Sequence, residues 1–202
     1  MKTTIKNIGG KDIIAKAEEA LNLEMNKLFY LLSIVENKIV DGFTVQIGWS
    51  IFILSKHENG YHVLAPDYTQ NPFQDTTDDL TIALWVQLEQ VHWLRQLNIE
   101  GVMTKFNDKI VIAKNVFQLD EIYLQRSSDC NENDSGWYIG PVNEADETGE
   151  LEAISAYELL KIRPSIIQVL SLPYEYLVVF RKDSIKAILN ENDINVWSAI
   201  KQ

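Results

Sequence analysis

The spacing of apolar residues predicts two long helices in the first half of the chain. Over residues 12–36 they recur every three or four positions, which indicates one helix or two helices with a break near Asn22. The apolar positions of this run are Ile14, Ala17, Leu21, Met25, Leu28, Leu32 and Val35. A similar stripe predicts a second helix over 79–97. The polar segment 66–78 before it has the composition of a loop that ends in a helix N-cap.

Between these helices, a period of two predicts β-strands. The alternating apolar residues of the first strand are Phe43, Val45, Ile47, Trp49, Ile51 and Ile53. They predict one strand over 43–53 with a single apolar face. The tetrapeptide His57–Gly60 predicts a hairpin turn, because Asn-Gly tolerates positive φ, and residues 61–65 predict the returning strand.

The second half of the chain alternates shorter strand and helix patterns. Strands are predicted over 102–106, 110–114, 121–126, 136–142 and 174–181. Helices are predicted over 154–162, 165–170 and 183–200. The first of these helices ends before Pro164, because proline disfavours helical backbone in the residue that precedes it. The mixture predicts an α+β fold with antiparallel sheets and flanking helices.

Residues 99–101 form the predicted boundary between two domains. Residues 1–100 would make an N-terminal α+β domain of unassigned family, and residues 101–202 a C-terminal α+β domain. The boundary has no flexible linker composition, so we expect the two halves to pack closely together.

Composition narrows the class of protein. The chain has 202 residues, of which 46% are hydrophobic and 23% charged, as in globular proteins. No apolar run reaches the roughly 18 residues of a membrane-spanning helix, and no apolar segment follows the lysines of residues 1–6, so we expect neither a membrane anchor nor a secretory signal. The single cysteine, Cys130, suits a reducing compartment. We therefore expect a cytoplasmic protein.

Charge excludes one class of partner and favours another. The net charge is −11, and such a surface repels nucleic acid, which binds where phosphates are neutralised. The acids concentrate in residues 129–152, which contain no Lys or Arg. These acids are Asp129, Glu132, Asp134, Glu144, Asp146, Glu147, Glu150 and Glu152. The segment is either a solvated loop or a surface that speeds the approach of a basic partner.

No residue pattern predicts a metal or a cofactor. His57 and His62 lie across the predicted hairpin, but their spacing matches no zinc motif. Three residues alternate like the start of an EF-hand loop, namely Asp129, Asn131 and Asn133. The pattern then fails, because Asp134 stands where the loop needs glycine and Gly140 where it needs a bidentate acid.

The sequence also gives little evidence for a catalytic site. Cys130 lies beside acids, which raise the pKa of a thiol and argue against a nucleophile. An enzyme would have to assemble scattered groups such as His62, Asp67 and His92. A different hypothesis is a small-ligand or regulatory module with an apolar cleft between the two halves. The aromatic residues nearest to that cleft would be Trp49, Trp85 and Trp93.

Trp137 differs in context from the other tryptophans. It ends the sequence Asp134–Trp137 inside the acidic segment, where a strand begins. Tryptophan is enriched at binding hot spots, so Trp137 is a candidate anchor for a partner. The alternative is a structural role at the mouth of the loop.

Residues of the second half resemble a known family. The resemblance rests on the run Ile110–Val116, on Tyr123 and Arg126, and on the sequence Asp134–Trp137. Downstream matches are Pro164, Ile166, Ile167, Leu170, Pro173, Phe180 and Arg181. Over about residues 109–183 the chain is similar to the thirty-third numbered immunity family of bacterial polymorphic toxin systems, once catalogued as a domain of unknown function.

The resemblance implies a non-catalytic α+β protein that neutralises a cognate toxin by binding it. The toxin gene often lies beside the immunity gene, and an acidic face would suit a basic nuclease toxin. The partner-binding residues expected on this interpretation are Asp134, Ser135, Gly136, Trp137, Glu144, Asp146, Glu147 and Glu150.

Overall fold

Two β-sheets organise the chain, one in each of two compact units, Met1–Leu88 and Glu89–Gln202. The structure is a computed structural model and describes residues 1–131, 133–146 and 149–197. Each unit combines one sheet with helices, which confirms the α+β class. The division of the sequence at residue 100 stays a prediction.

The first unit contains six strands and two long helices, the second of which continues past the unit boundary. In chain order they are β1 (Lys2–Ile8), β2 (Lys11–Ala17), α1 (Asn22–Ile34), β3 (Phe43–Ile47), β4 (Ser50–His57), β5 (Gly60–Pro66), β6 (Thr76–Thr77) and α2 (Thr81–Leu97). The sheet has the order β1-β2-β5-β4-β3, with β6 paired to β5. Its pairings are antiparallel except that of β2 with β5.

The predicted helix over 12–36 is wrong in its first third, where the chain forms β2. A turn at Gly9 and Gly10, both with positive φ, folds this strand back onto β1. Ile14 and Ala17 fit a helical stripe, but the consecutive burial of Ile13, Ile14 and Ala15 belongs to a strand inside a sheet. The helix begins only at Asn22, where the sequence predicted a break.

The predicted strand over 43–53 is two strands. Gly48, with φ of 56°, and Trp49 form a two-residue turn between the paired residues Ile47 and Ser50. The turn shifts the alternation, so the buried side chains of β4 include Phe52 instead of the predicted Ile51 and Ile53. The hairpin at His57–Gly60 and the helix over 79–97 are confirmed as the β4–β5 turn and α2.

The described residues of the second unit form six strands and one short α-helix after α2. They are β7 (Lys109–Ala113), β8 (Glu121–Arg126), β9 (Asp134–Pro141), β10 (Leu151–Ser155), α3 (Leu159–Ile162), β11 (Leu177–Arg181) and β12 (Ser184–Leu189). The sheet has the order β10-β7-β9-β8-β11-β12, and its pairings are antiparallel except that of β7 with β9. The predicted strand over 121–126 is confirmed.

Three predictions for the second unit are wrong. Residues 102–106 form no strand, and their backbone instead supplies hydrogen-bond acceptors to a buried side chain. The predicted helix over 154–162 begins as the end of β10. The tail predicted as a helix over 183–200 forms β12, because its side chains alternate between exposed and buried. Residues 198–200 of that prediction lie outside the described part of the chain.

Candidate functional site

A buried arginine lies at the centre of the second unit. Arg126 is 1% exposed and comes from the last position of β8. Its Nε donates to the Ser135 carbonyl at 2.9 Å, and its Nη1 donates to the Val102 and Leu172 carbonyls at 2.7 and 2.6 Å. Burial lowers the pKa of Arg126 to about 10, so the side chain stays charged at neutral pH, held by carbonyl dipoles.

Trp137 packs on this arginine. Its side chain is 1% exposed, and its ring centre lies 5.5 Å from the Arg126 guanidinium carbon. The indole Nε1 donates to the Leu170 carbonyl at 3.0 Å. Of the two roles that the sequence left open for Trp137, these contacts support the structural one. They do not test partner binding.

Ser135 and Gly136, which precede Trp137, are also fixed by close contacts. The Ser135 hydroxyl donates to the Lys109 carbonyl at 2.6 Å and accepts from the backbone N–H of Trp137 at 3.1 Å. Gly136 has φ of 76°, and a Cβ atom there would lie 2.2 Å from the Ser127 carbonyl oxygen. Only glycine fits this close approach. We call Arg126 and the sequence Asp134–Trp137 the arginine cluster.

The acidic segment does not form one surface, because β9 runs through its middle. Asp129 and Asp134 lie at the start of this strand, whereas Asp146 and Glu150 follow its end. The register between β7 and β9 shifts inside β9, so its eight residues span only about five residue steps of β7. At roughly 3.3 Å per step, the two groups are separated by about 17 Å. The predicted partner-binding residues therefore fall into two groups at opposite ends of β9.

The second group lies in the connection between β9 and β10, residues 142–150, which we call the acidic connection. It contains Glu144, Asp146, Glu147 and Glu150 and no Lys or Arg. Asp146 and Glu150 are exposed, and Glu150 forms an ion pair with Lys114 at 2.7 Å. Glu144 begins a short 3₁₀ turn, and Glu147 lies outside the described residues.

A notch in the surface adjoins the acidic connection. Its lining residues are Leu119, Asp120, Glu121, Asn143, Asp146 and Arg181. Two of its acids have local cations, since Glu121 pairs with Arg181 at 3.2 Å and Asp120 with Lys182 at 3.7 Å. Both pairs are exposed, so they neutralise charge locally and add little stability.

The two faces of the second sheet differ. A row of residues on neighbouring strands is buried, namely Ile112, Ile139, Leu124, Val178 and Ile188. The opposite face carries half-buried side chains, namely Val111, Tyr138, Leu177, Tyr123 and Val179. The rings of Tyr123 and Tyr138 meet edge to face at 5.7 Å. This face was not identified from the sequence. Its signal was the run Ile122-Tyr123-Leu124, because consecutive strand residues point to opposite faces and Tyr123 therefore lies on the face opposite to Ile122 and Leu124.

The other candidate groups have local contacts of their own. The His57 and His62 rings lie 4.5 Å apart, and His62 Nε2 lies 3.1 Å from the Asn59 side-chain oxygen. Among the described residues, no three His, Cys, Asp or Glu side chains are grouped to hold a metal ion. Asp67 receives hydrogen bonds from Thr69, at 2.9 Å from the backbone N–H and 2.6 Å from the hydroxyl. The ring of His92 contacts that of Trp93 at 5.2 Å.

Two of the three tryptophans assigned to an apolar cleft pack against other aromatic rings. Trp49 is buried, and its ring lies 6.2 Å from that of Tyr68. The ring of Trp93 lies 4.7 Å from that of Trp197. A small ligand near these residues stays a prediction. Within the part of the chain that the structure describes, no helix is long and apolar enough to cross a membrane.

These features define a small α+β unit with a half-buried sheet face and an acidic connection between two strands. A family model described as the Imm33-like domain matches residues 89–196, which is more than half of the chain. The chain belongs to the Imm33-like family, and the resemblance to numbered immunity proteins is confirmed. Such families are generally non-catalytic, and their general partner is a cognate toxin. No curated protein and no solved structure matches the chain.

Proposed function

We propose that this chain is an immunity protein that neutralises a cognate bacterial toxin by direct binding, with the acidic connection as part of the contact surface. Family membership supports a toxin as partner. The charge of the connection supports a basic contact surface on that toxin, such as the active site of a nuclease.

The observation that carries this proposal is the position of the acidic connection. Its described carboxylates, Asp146 and Glu150, are exposed at the end of β9 opposite the arginine cluster. Net negative charge on an exposed connection attracts a basic surface over about 8 Å at physiological ionic strength. The connection can therefore steer a toxin without contributing to the core.

The arginine cluster has a different part in the proposal. Asp134, Ser135, Gly136 and Trp137 were expected to touch the partner. Because Ser135 and Trp137 are buried, we propose that this sequence holds β9 in place and thereby positions the connection that follows it.

Charge reversal tests the proposal. The triple variant Glu144→Lys, Asp146→Lys, Glu147→Lys removes three negative charges and adds three positive ones. We expect its association rate constant with the cognate toxin domain to fall at least about tenfold at low salt. Stopped-flow fluorescence measures this rate, and growth rescue on co-expression reports neutralisation.

A matched control separates the effect of charge at the acidic connection from the effect of the protein's total net charge. The triple variant Glu18→Lys, Glu19→Lys, Glu58→Lys makes the same change at exposed positions of the first unit. We expect it to change the association rate less than about threefold. An equal effect of the two variants, or no effect of the first, would exclude the acidic connection as the contact surface.

A further inference from the structure

We propose that β10 is the strand to which the toxin docks, through an extended basic segment that pairs with its open backbone edge. This inference rests on the proposed function and assigns a binding mode to the surface next to the acidic connection. Addition of a strand to an exposed sheet edge is a general mode of peptide recognition.

The pairing of β10 with β7 shows which backbone groups face outward. The strands pair antiparallel, with Leu151 opposite Ala113 and Ser155 opposite Lys109. The backbone hydrogen bonds at the two ends of this pairing run from Lys114 N to Glu150 O and from Ala156 N to Asp108 O, both at 2.9 Å. Even-numbered residues of β10 therefore bond to β7.

The odd-numbered residues of β10 consequently direct their N–H and C=O groups away from β7. Ser155 confirms this phase, because its N–H donates to the Glu158 side chain at 2.7 Å and not to β7. Among the described residues, no backbone group bonds to the outward N–H and C=O groups of Leu151 and Ala153, which thus offer two donors and two acceptors along the edge. Their spacing is that of the ladder a further strand would need.

The side chains of β10 leave this edge accessible. Leu151, Glu152 and Ala153 are exposed one after another, although consecutive strand residues point to opposite faces. Both faces of the strand are therefore open at this point. Leu151 is 60% exposed, which gives the edge an apolar position for a partner side chain.

The opposite edge of the same sheet is covered by its own chain. The backbone N–H of Val196 donates to the Ile188 carbonyl at 2.8 Å, and Leu189 forms a bridge with Asn195. Native proteins usually protect edge strands by covering them or by placing Lys or Pro on them. β10 has neither Lys nor Pro, and within the described part of the chain no other strand pairs with its outer edge.

The acidic residues around β10 indicate which kind of strand would pair with its edge. Glu152 lies on the strand itself, and Glu150 and Asp146 precede it, all of them exposed. A strand rich in Lys or Arg places a basic side chain beside Glu152, because cross-strand neighbours lie about 5 Å apart, and the remaining acids attract its other charges at longer range. A second copy of this chain would bring the same acids together, and like charges across strands are destabilising.

Residue-resolved amide exchange tests the docking mode. In the isolated protein we expect the amides of Leu151 and Ala153 to exchange faster than those of Glu152 and Ile154, which bond to β7. On addition of the cognate toxin domain, exchange at Leu151 and Ala153 should slow at least about tenfold. Dilution of the isolated protein should leave all four rates unchanged.

A proline variant tests the same edge by affinity. Ala153→Pro removes the outward N–H without removing a bond to β7, and edge positions accept proline. We expect its dissociation constant for the toxin to rise at least about tenfold, while the control Ala153→Ser stays within about threefold of the wild type. If Ala153→Pro does not fold, the same test uses Leu151→Pro, which changes the first residue of the strand.

The outcomes separate the two proposals. Toxin binding without slower exchange at Leu151 and Ala153 would overturn the docking mode and leave the proposed function intact. Failure of the toxin to bind at all would overturn both. Protection of the two amides by concentration alone would show a second copy of the chain as the occupant, which also overturns the docking mode.

Discussion

Replacement of Arg126 by methionine should destabilise the second unit strongly. The methionine side chain fills much of the same volume but donates no hydrogen bond. The Ser135, Val102 and Leu172 carbonyls would each lose the donor that Arg126 provides. The Leu170 carbonyl would keep the hydroxyl of Thr104 as a donor at 2.7 Å.

These contacts give the magnitude of the effect. A buried carbonyl without a donor costs about 1–3 kcal/mol, so three of them cost at least about 3 kcal/mol. Loss of the cation–π contacts with Trp137 and Tyr174 adds about 1 kcal/mol. Relief of the desolvation of a buried charge offsets part of this sum. We expect a net loss of about 3 kcal/mol in the free energy of unfolding.

Urea unfolding measures this loss, with the amide signals of β9 as the reporter for the second unit. The control is Arg95→Met, which changes an exposed arginine of α2 and should cost less than about 0.5 kcal/mol. A stability of Arg126→Met within about 0.5 kcal/mol of the wild type would refute the argument. It would mean that water or rearranged backbone satisfies the three carbonyls.

Two further predictions concern backbone and pH. Gly136→Ala should lower the free energy of unfolding in urea by several kcal/mol, because the added methyl group would clash with the Ser127 carbonyl. The control Gly42→Ala, with φ of 74° and open space around it, should lower it by only about 1–2 kcal/mol. Equal losses in the two variants would contradict the steric argument. Hydrogen bonds from Ser128 lower the pKa of Glu175 below its ordinary value of 4.5. The ionised carboxylate therefore stabilises the folded state above pH 4.5, and this stabilisation is lost as the pH falls through the lowered pKa. Ser128→Ala should raise that pKa in an NMR titration of the Glu175 carboxyl, and an unchanged titration would show that the hydroxyl contributes nothing.

The sequence predicted those elements whose pattern had a single interpretation. The strand over 121–126 centres on three residues typical of strands, Ile122, Tyr123 and Leu124. The Asn-Gly dipeptide marks the hairpin between β4 and β5. The region that forms β2 was ambiguous, because Ile14 and Ala17 are spaced three apart within a run that is also apolar at Ile13. Its partner strands, β1 and β5, decide the outcome, and pairing between distant segments is not visible in a local pattern.

The candidate site was predictable in part. A strand over 136–142 was predicted inside the acidic segment, and any strand there divides the acids between its two ends. That consequence follows from strand geometry alone. The role of Arg126 was not predictable, because its acceptors are backbone carbonyls of segments such as Val102 and Leu172, which no side-chain motif reveals.

The position of β9 has a consequence for how this chain can diversify. The residues that hold the fold lie at one end of the strand, and the acidic connection follows its other end about 17 Å away. Substitutions that far apart and without shared partners act on stability almost independently. The connection can therefore change its sequence over generations while the arginine cluster stays constant, so one scaffold can acquire new surface chemistry without losing its stability.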